Sequence, residues 1–207
     1  ADLMPLLRSL NAQTKTIYDP FFCKGSMVKH LASLGFKNVV NRNEDFWAVL
    51  KNGKLPAFDV TVTNPPYSDE DKERTVKFVV ASGKPGFVLI PSYCANKSWF
   101  KRACQNRSGG GSGAGASSSS ALSTSEVFVV RPKVDYQYVH IEGKGHSTSP
   151  FHSSWFCFNM PFHASVECMA SSDRKATVCP VSDLAKVGVQ FKKRLNPRQR
   201  KKRKMIH

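Results

Sequence analysis

Along the first hundred residues the hydrophobic and polar positions switch between the two-residue period of strands and the longer period of helices. Thr16-Ile17-Tyr18-Asp19 reads as a short buried strand, followed by Pro20-Phe21-Phe22-Cys23-Lys24-Gly25 as a turn. From Ser26 to Leu34 the apolar residues Met27, Val28, Leu31 and Leu34 recur at helical spacing, and Gly35 supplies the stop. Lys37 to Val40 then predicts a second strand, so this segment is expected to form a parallel βαβ unit. Phe58 to Thr63 is β-branched and apolar, bounded by Pro56 and by Asn64-Pro65-Pro66-Tyr67, which predicts a strand ending in a rigid turn. Ser68 can cap the next helix, with Asp69, Glu70 and Asp71 opposing the helix dipole, Val76, Val79 and Val80 facing inward, and Gly83 ending it. Gly86 to Pro91 predicts a further buried strand, and the alternation of strand and helix is that of an α/β domain.

Past Ser108 the pattern lapses. Residues 108–120 are almost wholly Gly, Ser and Ala and are expected to form a flexible loop, because such a composition buries too little apolar surface to order itself. Ser125 to Val130, Tyr136 to Ile141 and Ser153 to Phe158 read as strands, with Gly143-Lys144-Gly145 as a turn, and an antiparallel hairpin is expected to close the sheet. Residues 1–190 then make one domain with the 108–120 loop inside it, and 191–207 a basic C-terminal tail.

Charge adds a partner to this picture. The 207 residues carry 31 Lys and Arg against 15 Asp and Glu, a net +16 that points to a polyanion such as nucleic acid. Nine of these cations, including Lys192, Lys193 and Arg194, fall between Lys192 and Lys204 with no acid among them; sixteen less nine leaves +7 on the body. Such a run serves as a nucleic-acid arm or a nuclear localisation signal, and a nuclear, reducing location is expected. No apolar run approaches the roughly 18 residues that span a bilayer. The six cysteines form no C-x-x-C pair and the six histidines no H-x-x-x-H pair, so buried thiols and no metal are expected.

The most informative chemistry is Asn64-Pro65-Pro66-Tyr67 directly after a buried strand, which puts it at the carboxyl edge of a parallel sheet, where ligands bind in open α/β folds. An exocyclic amine is a poor nucleophile because its lone pair is delocalised into the ring. The Asn64 side-chain oxygen and the Pro65 carbonyl are two acceptors for its two hydrogens, favouring a pyramidal nitrogen whose lone pair points at a methyl donor. Two prolines fix the backbone and contribute no N–H. Tyr67 offers a face for an extruded base, a contact worth about 1–3 kcal/mol in nucleic-acid complexes.

Asp19-Pro20-Phe21-Phe22-Cys23-Lys24-Gly25 together with Asn64-Pro65-Pro66-Tyr67-Ser68 resembles the class I amino-methyltransferases of the N6-adenine type, more narrowly a eukaryotic group found in protists, algae and oomycetes. The likeness runs over residues 16 to 100. It implies a Rossmann-like class I methyltransferase fold, with a mostly parallel sheet closed by an antiparallel hairpin and helices on both faces. It also implies S-adenosylmethionine as cofactor, with Tyr18, Asp19, Pro20, Phe21, Phe22 and Gly25 holding its methionine end, Asp19 accepting from the amino group. Asp45-Phe46 would contact the cofactor's adenine, and Glu44 or Asn43 the ribose hydroxyls, with Asn64 also against the cofactor; Glu44 or Asp45 read without the family would simply cap a helix starting at Phe46.

Asn64, Pro65, Pro66 and Tyr67 would be catalytic. Tyr67, Phe151 and Trp155 would receive the base, Phe151 opposite Tyr67, while Lys192, Lys193 and Arg194 would bind the strand. Tyr93, Trp99 and Phe100 could also line the pocket, although core packing is the default for such residues. The turn departs from the family in carrying Phe22 and Cys23 where small residues are usual, and the stretch before Asn64 is short enough that a complete third strand is expected to be missing. DNA or RNA is the expected partner, with a protein subunit beside it possible. Two other functions fit the same motif: a protein glutamine N-methyltransferase, and an inactive subunit that only binds nucleic acid.

Overall fold

The computed structural model describes residues 2–105, 127–132, 136, 151–170 and 176–187. The expected loop at 108–120, the expected strand at 136–141 beyond Tyr136, and the tail at 191–207 with Lys192, Lys193 and Arg194 lie outside the described residues.

Seven strands form one mixed sheet: β1 (Ile17–Tyr18), β2 (Val39–Val40), β3 (Val60–Thr63), β4 (Gly86–Pro91), β5 (Phe128–Arg131), β6 (Ser153–Phe158) and β7 (Thr177–Pro180), in the order β2-β1-β3-β4-β6-β5-β7. The β1–β2, β1–β3 and β3–β4 pairs are parallel, as the βαβ pattern predicts. The expected predominance of parallel pairing is corrected, because β6 enters between β4 and β5 and pairs antiparallel with both, and β7 adds a third antiparallel pair. The edge strand β7 was not anticipated: four residues flanked by polar sequence carry too short an apolar run to signal a strand.

The helices are α1 (Met4–Ser9), α2 (Ser26–Ser33), α3 (Phe46–Lys51), α4 (Asp69–Ser82), α5 (Ser98–Gln105) and α6 (Phe162–Ala170). They cover both faces of the sheet, since successive strand residues point to opposite sides. Val88, Ile90, Phe156 and Phe158 pack with Val76, Val79 and Val80 of α4 and Phe100 of α5; Phe87, Phe128, Val130 and Cys157 pack with Leu6 and Leu7 of α1, Leu31 of α2 and Met169 of α6. Trp99 and Phe100 therefore belong to the core, 7% and 2% exposed. Of the described helices, none is long and apolar enough to cross a membrane.

Local signals set the ends of α4. The Ser68 hydroxyl accepts from the Asp71 backbone N–H at 2.9 Å, and Gly83 closes the helix with φ +65°. Such a cap is worth about 1 kcal/mol. Gly86, at the start of β4, is required by contact: a Cβ there would lie 2.2 Å from Val79 Cγ1 of α4. Because Val79 is β-branched and enclosed, Gly86→Ala is expected to push α4 off the sheet and to cost about 1–3 kcal/mol, read as a lowered midpoint in urea with an unchanged slope.

Candidate active site

Parallel pairing of β1 with β3 brings the ends of two distant segments together, and the candidate site is built on that edge. Thr63, last in β3, donates its hydroxyl to Asp19 Oδ1 at 2.6 Å, and the Phe21 N–H donates to the same oxygen at 3.3 Å. Asp19 Oδ2 has no partner among the described residues. The carboxyl is 4% exposed, and burial pushes its pKa up to about 7 against these two hydrogen bonds, which pull it down. Asn41, just past β2, donates from Nδ2 to the carbonyls of Asp19 at 3.0 Å and Phe21 at 3.1 Å, tying the turn to its neighbouring strand. Neither Thr63 nor Asn41 stood out in the sequence, because only strand adjacency makes them partners of the turn.

The turn is wound left-handed over three residues, with φ +32° at Cys23, +63° at Lys24 and +67° at Gly25. Only the last is a glycine, so Cys23 and Lys24 hold a conformation that costs about 1–3 kcal/mol each and that the surrounding bonds must impose. At Gly25 a Cβ would meet the Phe22 ring at 3.1 Å. Cys23 is exposed, unlike Cys94, Cys104, Cys157 and Cys179, which are buried. Burial raises those four thiols, to about 12 for Cys94 and Cys104 and about 11 for Cys179.

A cavity of about 510 Å³ opens over this edge. That volume falls within the roughly 300–1,000 Å³ of small-molecule sites. Its wall comes from three separate segments: Pro20 to Cys23, Glu44 to Trp47, and Asn64 to Pro66. Phe21, Phe46 and Trp47 form an aromatic corner, with ring centroids 5.4 Å apart for Phe21–Phe46 and 4.6 Å for Phe46–Trp47. Trp47, which sequence reasoning passed over, is fixed by its indole N–H donating to Asp71 Oδ1 at 2.9 Å and by the Arg74 guanidinium 3.9 Å above its ring.

Three expectations for this region are modified by the structure. Asp45 is the N-cap of α3, its carboxylate accepting from the backbone N–H of Trp47 at 2.9 Å and of Ala48 at 3.4 Å, so the simple capping role holds for it while it also lines the cavity. Glu44 stands exposed in the wall, whereas Asn43 is exposed and outside it. Tyr18 sits beneath the wall rather than in it, 2% exposed, with its ring against Phe58 at 5.3 Å and Phe46 at 6.3 Å. Burial there, and then the nearby Glu44 carboxylate, raise its phenol to about 12.

Next to the cavity, the Asn64-Pro65-Pro66-Tyr67 turn leaves the carboxyl end of β3 with Asn64 exposed at the opening and Pro65 buried. Tyr67 faces Phe151 at 5.6 Å, the pair expected from the sequence, and Tyr93 meets Phe151 edge-on at 6.1 Å. Phe151 reaches this place because β6 runs antiparallel to β4, with Ser153 opposite Pro91, so the residues before β6 arrive at the same sheet edge. Trp155 is not brought to this group. Two residues further along β6 its ring packs on the α1 and α6 side of the sheet, and its indole N–H donates to the Tyr136 hydroxyl at 2.9 Å.

The structure thus gathers Pro20, Phe21, Phe22, Glu44, Asp45, Phe46, Asn64, Pro65 and Pro66 around one cavity, with Asp19 and Gly25 behind it and Tyr67 and Phe151 beside it. Two other grooves of similar size lie under α5 and between α3 and the end of α4, and of the three segments that wall the candidate cavity only Trp47 reaches either of them. No protein-family model and no curated protein matches the chain.

Proposed function

We propose that this protein is an S-adenosylmethionine-dependent methyltransferase acting on an exocyclic amino nitrogen, N6 of adenine in nucleic acid, with DNA favoured over RNA. The observation that carries the reading is the single cavity shared by the Pro20–Cys23 turn, Glu44–Trp47 and Asn64–Pro66, three motifs far apart in sequence. Four parallel strands continued by antiparallel ones, with helices on both faces, support a Rossmann-like class I methyltransferase fold.

The residues present fit the cofactor. Asp19 Oδ2 is an acceptor for an ammonium group, Gly25 adds no Cβ to the turn, Glu44 supplies a carboxylate for ribose hydroxyls, and the Phe21–Phe46–Trp47 corner offers apolar surface to a purine. When bound, S-adenosylmethionine supplies an electrophilic methyl on sulfur. Asn64 Oδ1 and the Pro65 carbonyl accept the two amino hydrogens, Tyr67 and Phe151 offer the base an aromatic surface, and the positive body and tail draw in the phosphate backbone. Catalysis by such positioning needs no strong base and no covalent enzyme intermediate.

The test is transfer of labelled methyl to single-stranded DNA, duplex DNA, RNA and a glutamine-bearing protein pool, with the product identified by mass. N6-methyladenine in any nucleic acid is the expected product. Methylglutamine would replace the substrate assignment and keep the chemistry. A chain that is not thermally stabilised by S-adenosylmethionine, where about 2.7 kcal/mol is expected at a hundredfold excess over Kd, would refute the enzyme reading and leave a nucleic-acid-binding scaffold.

A further inference from the structure

Lys72 is the single lysine buried among the described residues, its side chain 2% exposed. It lies in the first turns of α4, where a lysine ordinarily runs its stem along the surface and leaves its ammonium in water. Here the side chain turns back past the helix cap instead. Its Nζ donates to the Tyr67 carbonyl at 2.5 Å and pairs with Asp69 Oδ1 at 3.1 Å. Taking an ammonium out of water is costly unless good acceptors replace the solvent, and these are its acceptors.

The same contacts connect the two tyrosines that meet Phe151. Asp69 Oδ2 is 3.9 Å from Lys97 Nζ, and that ammonium lies 5.9 Å from the centre of the Tyr93 ring. A line of alternating charge, Lys72, Asp69 and Lys97, therefore runs from the Tyr67 backbone to the Tyr93 segment. Pro65 and Pro66 have no N–H with which to anchor the turn they form. The Tyr67 carbonyl, immediately after them, is gripped by the buried side chain of Lys72.

We propose that Lys72 is a positioning residue: its buried ammonium, braced by Asp69, holds the Tyr67 backbone so that the Pro65 carbonyl and the Tyr67 ring stand in register with Phe151. Its kinetic consequence rests on the methyl-transfer reading, but its effect on the turn can be measured without turnover. A purely stabilising lysine would act on the whole fold. A positioning lysine acts on the turn.

Lys72→Met separates the two, since methionine keeps the length and apolar stem while removing the charge. Asp69, 69% exposed, stays hydrated when its partner is lost, so no buried charge is orphaned. In Lys72→Met the amides of residues 71 and 72, which donate to the Ser68 hydroxyl and carbonyl, should exchange with deuterium about tenfold faster or more, while those of Phe87 to Ile90 in β4 keep their wild-type rates. The turnover number should fall by about 10- to 100-fold with Kd for S-adenosylmethionine within about threefold, as misplacement of reacting groups by an ångström entails. Lys72→Arg, which retains a charged donor, should recover most of both.

Unchanged exchange at residues 71 and 72 in a folded Lys72→Met protein overturns the proposal, and so does equal loss of protection in β4, which would make Lys72 a general prop. If the wild type transfers no methyl to any substrate but exchange at residues 71 and 72 still accelerates in Lys72→Met, the methyltransferase reading fails and the anchoring role of Lys72 stands.

Discussion

Asn64→Ala is expected to lower the turnover number for methyl transfer by about 10²- to 10³-fold, the usual effect of deleting one preorganised polar group at a reacting centre. The residue is exposed at the opening of the cavity, on a turn whose next two residues are prolines, so removing its amide disturbs no buried packing and the fold should melt as the wild type does. S-adenosylmethionine should bind with Kd within about fivefold, because Asp19, Glu44 and the aromatic corner remain. Loss in kcat with little change in KM is the signature of an interaction made in the transition state rather than in the ground state. Single-turnover transfer measured beside calorimetric cofactor binding reads both. Activity within a factor of ten of wild type would remove Asn64 from the mechanism, and loss of cofactor binding would make it a structural part of the wall.

The second large effect is on pH. Asp19 is pushed from 3.8 up to about 7 by burial, so near neutrality the carboxyl is only half ionised. An ammonium group at Oδ2 favours the ionised form, and binding is then linked to release of one proton. Affinity for S-adenosylmethionine should rise about tenfold per pH unit below 7 and level off above it, making binding about twentyfold weaker at pH 5.5 than at pH 7.5. Asp19→Asn should flatten this dependence and cost about 10- to 100-fold in affinity at pH 7.5, the worth of a charge-assisted hydrogen bond.

The unliganded protein gives an independent check of sign. A folded-state pKa above the unfolded one means that the native state binds the extra proton between about 3.8 and 7. This contribution to stability is fully present below about 3.8 and is lost as the pH rises through about 7, a trend that Asp19→Asn abolishes in urea titrations at several pH values. Thr63→Val, which takes away the hydroxyl at Oδ1, should move the transition to higher pH. An affinity for cofactor independent of pH between 5.5 and 7.5 in the wild type would show that Asp19 is not the acceptor.

Much of the frame of this site can be read directly from the residues. The β-branched run at Val60–Thr63, the Ser68 cap, the acidic first turn and Gly83 define a strand, a turn and a helix by interactions within a few positions of each other. With β1 and β2 joined by one short helix, parallel pairing follows, and it places the residues after β1 and after β3 at the same edge. That is why the Asp19 turn and Asn64-Pro65-Pro66 could be expected to meet, whereas Phe151 opposite Tyr67 is an expectation that the family resemblance alone implied. The helices α1, α5 and α6 were less visible, being six to nine residues long; α5 does show Trp99, Phe100, Ala103 and Cys104 on one side of a helical turn.

What the letters alone determine here is whatever depends on neighbours along the chain: periods, caps, rigid turns, and the excess positive charge. Which group is desolvated, and by whom, was decided only in three dimensions. Lys72 reads as a solvated helix charge until the Tyr67 carbonyl and Asp69 are seen around it, and Asp19 acquires its raised pKa only through burial at the sheet edge, where the hydroxyl of Thr63, 44 positions later, pulls part of the way back. Asn41 becomes a clasp for the turn because β2 lies beside β1, and Trp155 turns from the Tyr67–Phe151 pair because its place in β6 points it to the α1 and α6 side of the sheet. Burial and pairing energies depend on the full surroundings of an atom, and those surroundings come from segments that no local pattern connects.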